Sequence, residues 1–280
     1  MEVLTIVLSG LLSLLSSGGI VLDTVASKAI RSQVVKIERQ QVRIDNAPSY
    51  RAFGGKIQKI RVASRGVELK PNLRIAVLEL ETDSIDQKLS QLDFDSLDSL
   101  RSSLKTPLQG AVRLVLTEAD LNRTLQSPEI QAWLQKILNR LVARKAGSTN
   151  IAYELSDLAL ELDAANILGI EFKLNRAGSS RDRDAELALA LKLKIEVTNG
   201  NKISLVDPEG TVNDRPMSSR LLQGFASGIS DRLDLTTLEE EGIVARFLQF
   251  EIDEDKIELA SFVRMETKSA NLPSNKRDIK

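Results

Sequence analysis

Large apolar residues alternate with small or charged residues over much of the chain beyond residue 40. The longest run has a large apolar residue at every odd position from Leu187 to Val197. Because successive side chains of a strand point to opposite faces, this run predicts a long strand with one apolar face. Asn199-Gly200 then predicts a hairpin to a strand at 202–205. Similar patterns predict strands at 42–44, 56–63, 73–80, 111–116, 151–162, 247–252 and 257–265, the last two joined by a polar turn at 253–255.

Two segments between the strands have helical periodicity. Ser127 is followed by Pro128, which is typical of a helix start, and an apolar face continues from there toward residue 145. Residues 218–233 predict a second helix. Long antiparallel strands with few amphipathic helices predict an α+β fold. Two helices are few for so much apolar sheet, which favours a groove for an apolar ligand.

One strand departs from simple alternation. Within 73–80 the apolar positions change phase between Val77 and Leu78. A change of phase is typical of an extra residue in one strand of a pair, so a β-bulge and a bend are expected at this point.

The chain begins with an uncharged apolar segment at residues 3–22, which has the length of a membrane-spanning helix. Three interpretations stay open: a cleaved signal peptide, a spanning anchor, or a helix–break–helix in the membrane surface or folded onto the protein. A further helix is expected at 20–35. We therefore expect a membrane or anchor segment at 1–27, one lipid-binding α+β domain at 28–267 and a disordered tail at 268–280.

The net charge of −1 hides a strongly basic region. Residues 28–74 carry twelve basic and three acidic residues, a local charge of +9. Basic residues beside an apolar segment are attracted to anionic headgroups by about 1 kcal/mol each. Contact with an anionic membrane surface is thus predicted for Arg31, Lys36, Arg39, Arg43, Lys56, Lys59 and Arg61. The alternative is that these residues solvate one face of a sheet.

The residue types present restrict the possible chemistry. The chain has no His and no Cys, which excludes disulfides, thiolate nucleophiles, imidazole bases and zinc sites with nitrogen or sulfur ligands. Residues 93–98 hold three Asp but lack the Gly of a calcium loop. Aromatic residues make up only 4%, too few for a nucleic-acid stacking platform. We expect no catalytic site, no metal, no cofactor and no nucleic-acid partner.

Several short patterns resemble a known family. Residues 42–50 run into Gly54-Gly55, then into 57–62 and a Gly66 turn, and later residues 112–116 lead into Thr117-Glu118-Ala119-Asp120-Leu121. This order resembles the LmeA-like family of bacterial phospholipid-binding proteins over roughly residues 20–265, and it looks most like the version in photosynthetic bacteria. The resemblance implies a strongly curved antiparallel sheet wrapping a long helix, similar to tubular lipid-binding domains, with acyl chains in the groove. It implies a plasma, thylakoid or envelope membrane location and supplies no catalytic residues.

The strands with one apolar face are the natural candidates for a lipid groove. Lipid contact is predicted for Leu158, Leu160, Leu162, Leu187, Leu189, Leu191, Leu193, Ile195 and Val197, with ordinary core packing as the alternative for each. The predicted function is a non-enzymatic phospholipid binder that holds or shuttles lipid at a bacterial membrane. The alternative is a membrane scaffold with a closed core that binds a protein partner through its basic region, and a carboxylate-dependent hydrolase is a third.

Overall fold

A computed structural model describes residues 31, 34–46, 54–70, 72–88, 97–145, 153–176 and 186–268. The apolar segment at 1–27, most of the helix predicted at 20–35, the acidic run at 93–96 and the tail at 269–280 lie outside the described residues. No helix in the described ranges has the length and apolar character needed to cross a membrane.

The structure consists of thirteen strands, four α-helices and one 3-10 helix within the described residues. In chain order these are β1 Lys36–Asp45, β2 Lys56–Ile57, β3 Lys59–Lys70, β4 Leu73–Thr82, β5 Ile85–Asp86, α1 Leu97–Ser103, β6 Leu108–Thr117, α2 Glu118–Leu125, α3 Pro128–Lys145, β7 Tyr153–Asp163, β8 Ile167–Arg176, β9 Glu186–Thr198, β10 Lys202–Val212, β11 Arg215–Pro216, α4 Ser219–Ser230, the 3-10 helix Leu235–Glu241, β12 Ile243–Asp253 and β13 Lys256–Met265.

The strands form two large antiparallel sheets. One has six strands in the order β1-β3-β4-β6-β13-β12, and the other has five in the order β11-β10-β9-β8-β7. β2 and β5 pair separately. Both large sheets are open across the described residues, with β1 and β12 at the edges of the first. Mostly antiparallel sheets with a few helices confirm the α+β prediction.

Turn chemistry fixes the hairpins that the sequence predicts. Asn199 and Gly200 have φ values of 53° and 68°, a region open to glycine and tolerated by asparagine, and they join β9 to β10. Asp253 pairs with Lys256 across the β12–β13 turn. Both predicted hairpins are confirmed. Sequence patterns did not predict the β7–β8 hairpin, strand β8, or helices α1 and α2.

The bulge predicted between Val77 and Leu78 is wrong. The pairing of β4 with both β3 and β6 is continuous through these two residues, and the register shift of the β3–β4 ladder lies between Glu68 and Lys70. Gly66 does not end a strand either: it lies inside β3 with φ of 60°. The distortion is therefore in β3, while the pairing of β4 stays regular through its change of apolar phase.

Two apolar clusters hold the molecule together. The larger lies against the six-stranded sheet and includes the fully buried Ile57, Ile60 and Ile243. In the smaller, Leu162, Leu193 and Ile195 of the five-stranded sheet pack around Ile252 of β12. The second cluster thus joins the two sheets through apolar burial, the main favourable term in folding.

Helix α2 fastens the same junction with polar contacts. Thr117 caps its start by accepting a hydrogen bond from the Asp120 backbone N–H. The buried Asp120 carboxylate lies 2.7 Å from the Arg74 guanidinium of β4. On the other side, Glu118 accepts a hydrogen bond from the backbone N–H of Leu162 at 2.8 Å. One short helix is therefore bonded to both sheets.

Candidate functional site

An apolar cavity of about 440 Å³ lies on one face of the six-stranded sheet. Its floor comes from β4, β6, β12 and β13, including Leu80, Val112 and Leu259. Its opposite wall is formed by Ile203 of β10 and by residues of the segment 232–238. The volume falls within the range of about 300–1,000 Å³ that is usual for small-molecule sites.

Strand alternation produces the floor of the cavity. Leu114 pairs with Leu259, and Val112 pairs with Ser261. Their neighbours on the same strands, Arg113 and Ala260, point to the opposite face because successive side chains alternate. The inner face of these strands is thus apolar, while the outer face carries charge.

Small side chains at adjoining register positions leave room for the cavity. Thr82 pairs with Gly110, and Phe247 pairs with Ser261. A Cβ added at Gly110 would lie 2.5 Å from the backbone carbonyl oxygen of Glu81, so this position needs glycine for close backbone approach. Ala245 is a third small residue in the lining. Larger side chains at Ala245 and Ser261 would occupy the cavity.

Hydrogen bonds hold the wall of the cavity in place. The backbone N–H of Ile203 donates to the carbonyl of Leu233 at 3.1 Å, and that of Leu235 donates to Asn201 at 2.8 Å. The Asp234 carboxylate accepts from the backbone N–H and the hydroxyl of Thr236, at 2.9 and 2.7 Å, and so caps the 3-10 helix. These hydrogen bonds lower the pKa of Asp234 below its usual value.

Two charged residues line this cavity, and their environments differ. The Asp234 carboxylate is engaged by Thr236, whereas the exposed Arg232 guanidinium forms no ion pair with any described residue. An apolar volume with an unpaired cation at its edge suits an amphiphile, whose apolar part would enter the cavity while an anionic group stays outside.

The nine predicted groove residues all lie on the five-stranded sheet, and none of them lines this cavity. Leu162, Leu193 and Ile195 are buried in the cluster that joins the sheets, with exposures of 4%, 4% and 7%. The others, namely Leu158, Leu160, Leu187, Leu189, Leu191 and Val197, are half-buried. The structure therefore separates three packed core residues from six that keep part of their surface open.

Strand β8 extends the apolar face of β9. Phe172 pairs with Leu189, and Leu174 pairs with Leu187. Helix α4 covers part of this face: a Cβ added at Gly210 of β10 would lie 2.7 Å from Leu191 Cδ2 and 3.1 Å from Leu222 Cδ2. The half-buried leucines thus belong to a wider apolar surface that α4 covers at one side.

Four of the seven basic residues predicted to contact headgroups are in ion pairs. Lys59 lies 2.6 Å from Glu81, which also bonds Arg61. Arg43 and Lys56 pair with Asp45 and Asp86 at 2.8 and 3.3 Å, and Arg61 also contacts Asp45. The hydrogen bonds from Lys59 and Arg61 lower the pKa of Glu81. Much of the positive charge on β3 is therefore compensated locally.

The remaining three basic residues lie at the edge of the sheet. Arg31 donates to the carbonyl of Ile37 at 3.3 Å. Lys36 and Arg39 on β1 are exposed and form no ion pair in the part of the chain that the structure describes. Of the predicted set, these three keep a charge that no described acidic residue compensates, and the side chains of Lys36 and Arg39 also form no hydrogen bond to a described residue.

Sequence patterns predicted the strands that line the cavity but not the cavity itself. The runs at 111–116 and 257–265 show the required alternation, with Ser261 as a small residue in an apolar phase. What the sequence does not display is that Thr82 pairs with Gly110 and that Ser261 lies between Val112 and Phe247 of the two neighbouring strands. A search for small residues at the apolar positions of alternating strands could have identified them.

Comparison with known proteins places the chain in a family. A search of the curated proteins found no match. A family model described as LmeA-like phospholipid-binding matches residues 16–262, which is most of the 280-residue chain. An apolar cavity with a cation at its edge is consistent with that description. On this match the chain belongs to the LmeA-like phospholipid-binding family, as the sequence resemblance predicted.

Proposed function

We propose that this protein holds phospholipid non-enzymatically, with acyl chain in the cavity of the six-stranded sheet and the headgroup at its edge near Arg232. The observation that supports this most strongly is the composition of the lining. Apart from Arg232 and Asp234, the cavity is lined by uncharged and mostly apolar residues. Asp234 is held by Thr236, so its carboxylate has a structural role at the start of the 3-10 helix.

The energetics require an enclosed apolar path for a whole chain. Exposing an acyl chain of sixteen carbons to water costs about 12 kcal/mol, at about 0.8 kcal/mol per CH₂. The lining residue Ile203 also packs against the cluster that joins the sheets. Beyond that cluster lie the half-buried Leu187, Leu189 and Leu191. We propose that the lipid extends toward these leucines, with the sheets curving around it as in tubular lipid-binding domains.

Membrane association completes the proposal. Lys36 and Arg39 would contact anionic headgroups at the β1 edge, while residues 1–27 would anchor or export the chain at a plasma, thylakoid or envelope membrane. Residues 28–267 would form the single lipid-binding domain. A protein with these parts would hold lipid at the bilayer or shuttle it from one site to another.

A membrane scaffold is the second candidate, and one observation favours it. Leu162, Leu193 and Ile195 are buried by ordinary packing, so part of the five-stranded sheet is a closed core. If the remaining apolar surface were also closed by protein, the basic β1 edge would serve a protein partner. The two candidates differ in whether the cavity takes up lipid.

A pair of variants at neighbouring positions of β13 tests the proposal. Ser261→Phe places a large side chain in the cavity, whereas Ala260→Phe places the same side chain on the outer face of the same strand. Full-length proteins would be extracted with organic solvent and analysed by mass spectrometry, then titrated with a fluorescent phosphatidylglycerol. We expect Ser261→Phe to reduce bound lipid several-fold and Ala260→Phe to match wild type, with the same fold by circular dichroism.

The matched pair also controls for the N-terminal segment. Lipid bound only by residues 1–27 would be retained equally in both variants, so the difference between the variants reports on the cavity. Equal lipid content and equal uptake in wild type and Ser261→Phe would refute the cavity proposal. A second variant, Leu189→Asp with Leu191→Asp, tests in the same assay whether the lipid reaches the five-stranded sheet.

A further inference from the structure

Helix α4 has two apolar faces, of which only one is covered. Leu222, Ala226 and Ser230 are buried against the five-stranded sheet. Leu221 and Phe225, one turn apart on the adjacent side, have exposures of 49% and 48%. Exposed apolar residues grouped in this way mark an interaction surface more often than isolated ones do.

The single charged residue within α4 is positive. Arg220 is the sole charged residue of α4, and Arg232 follows the helix. Neither forms an ion pair with a described residue, whereas the acidic neighbour Asp231 is engaged by Lys202 at 2.9 Å. A cation in the first turn opposes the helix dipole, so helix stability does not account for Arg220.

The chain that follows α4 leads directly to the cavity. Leu233, with an exposure of 39%, follows α4 and also lines the cavity, as does Arg232. The Leu233 carbonyl accepts a hydrogen bond from Ile203, which fixes this residue at the wall. The apolar side of α4 and the edge of the cavity are thus parts of one continuous stretch of chain.

We propose that Leu221, Phe225 and Leu233, flanked by Arg220 and Arg232, form a surface that docks onto an anionic lipid bilayer. The apolar side chains enter the interface and the two guanidinium groups bind lipid phosphates. This inference rests on the proposed function, because docking here brings the cavity edge to the headgroups. The charge favours a bilayer over an apolar protein partner, since each Arg would otherwise be buried unpaired.

Docking through α4 differs from the docking predicted for the basic strands. Arg43, Lys56, Lys59 and Arg61 are paired with acidic residues, and no exposed large apolar side chain lies on the described strands β1, β2 and β3 that carry them. On α4 and the residues directly after it, an exposed apolar side occurs together with two arginines that form no ion pair with a described residue, as in an interfacial helix.

Single-cysteine labelling tests the surface directly, because the natural chain contains no Cys. An environment-sensitive fluorophore would be attached to Phe225→Cys in the full chain. Ser227→Cys, exposed on another side of α4, and Leu248→Cys, an exposed apolar position on β12, serve as controls. Each protein would be mixed with vesicles of phosphatidylcholine, with or without phosphatidylglycerol.

We expect a blue shift and a several-fold rise in emission at position 225 with phosphatidylglycerol vesicles, and little change at 227 and 248. The response should be lost with Arg220→Glu and Arg232→Glu together. Equal responses at all three positions, or none at 225 while the protein binds vesicles, would overturn the docking surface. A label at 225 that is blue-shifted without vesicles would show that another part of the chain covers α4, which also overturns it.

The native Trp133 on α3 provides an independent probe, since it is the single tryptophan and has an exposure of 57%. A vesicle-induced shift of Trp133 emission without a response at 225 would locate docking on α3 instead. Loss of lipid uptake in Ser261→Phe with no response at 225 would leave the proposed function standing and remove only the docking surface. Unchanged lipid uptake in Ser261→Phe together with a response at 225 would remove the cavity proposal and leave the docking surface standing.

Discussion

The side chain of Asn122 on α2 forms two hydrogen bonds to the backbone of Leu160 on β7. Its Nδ2 donates to the Leu160 carbonyl at 2.7 Å, and its Oδ1 accepts from the Leu160 N–H at 2.8 Å. The amide thus replaces a neighbouring strand at the edge of the five-stranded sheet. Gln135 of α3 does the same, accepting from Leu155 at 2.8 Å and donating to Tyr153 at 2.5 Å. Helical side chains therefore cover an edge that could otherwise pair with another chain.

Asn122→Ala should lower the stability of the fold. The substitution leaves the N–H and C=O of Leu160 without partners, and each partly buried orphan group costs about 1–3 kcal/mol. We expect a clear fall in the free energy of unfolding measured with urea. Asn139→Ala on α3 is the matched control, because within the described residues this exposed side chain bonds only the Gln135 amide. Equal losses in both variants would show that the Asn122 bonds contribute no more than an exposed contact does.

Local patterns predicted the strands, while the site depends on contacts between distant residues. Alternation from Leu187 to Val197 and the Asn199-Gly200 turn both lie within short windows of sequence. The cavity instead requires Thr82 to meet Gly110 and Phe247 to meet Ser261. Helix α2 was missed because Glu118, Asp120 and Asn122 look like polar loop residues, although each side chain bonds one of the two sheets.

The nine leucine, isoleucine and valine positions that were predicted to form a groove also depend on contacts with distant residues. Alternation shows that they share a face but does not show what covers it. Leu193 and Ile195 are covered by Ile252 of the other sheet, and Leu191 by α4. The end of β9 near Leu187 keeps part of its surface open. The covering elements come from distant parts of the chain, so periodicity alone could not separate core from groove.

Removing the Asp120 carboxylate should be among the most damaging single changes in the described residues. Asp120 has an exposure of 3% and binds Arg74 at 2.7 Å and Arg123 at 3.0 Å. Arg74 keeps Glu38 as an acidic partner and Arg123 is exposed, so the loss comes mainly from the hydrogen bonds of the buried carboxylate, and each such bond to a charged group contributes about 1.5–3 kcal/mol. We expect Asp120→Ala to lower the melting temperature strongly. Asp98→Ala removes an exposed carboxylate that lies 3.0 Å from Lys268 and 3.7 Å from Arg101, and it should have little effect because exposed carboxylates contribute little to stability.

Gln87→Leu should keep or raise stability. Gln87 is fully buried, and neither atom of its side-chain amide has a hydrogen-bond partner among the described residues. Replacing an unsatisfied buried polar group by an apolar one of similar size removes its desolvation cost. We expect an equal or higher melting temperature by calorimetry. A marked fall would mean that the amide has partners that matter, and Gln249→Leu, on the exposed side of β12, controls for the substitution itself.

Stability should be flat through neutral pH and fall in acid. The chain has no His and no Cys, so no side chain has an ordinary pKa between about 5 and 8. On the outer face of the six-stranded sheet, Arg113 lies 2.7 Å from Glu258 and 3.1 Å from Glu79. The hydrogen bond from Arg113 lowers the pKa of Glu258, and bonds from Arg65 and Arg113 outweigh desolvation and lower that of Glu79.

The direction of this pH dependence follows from the linkage between proton binding and folding. A carboxyl group whose pKa is lower in the folded state stabilises the fold above its unfolded pKa and loses this contribution as the pH falls. For these two glutamates the loss should begin near their usual pKa of 4.5 and deepen below it. Urea unfolding at a series of pH values measures this directly. Arg113→Leu should flatten the acid limb, whereas Arg215→Leu, an exposed arginine on β11, should leave it unchanged. An acid limb identical in Arg113→Leu and wild type would contradict the assignment to this cluster.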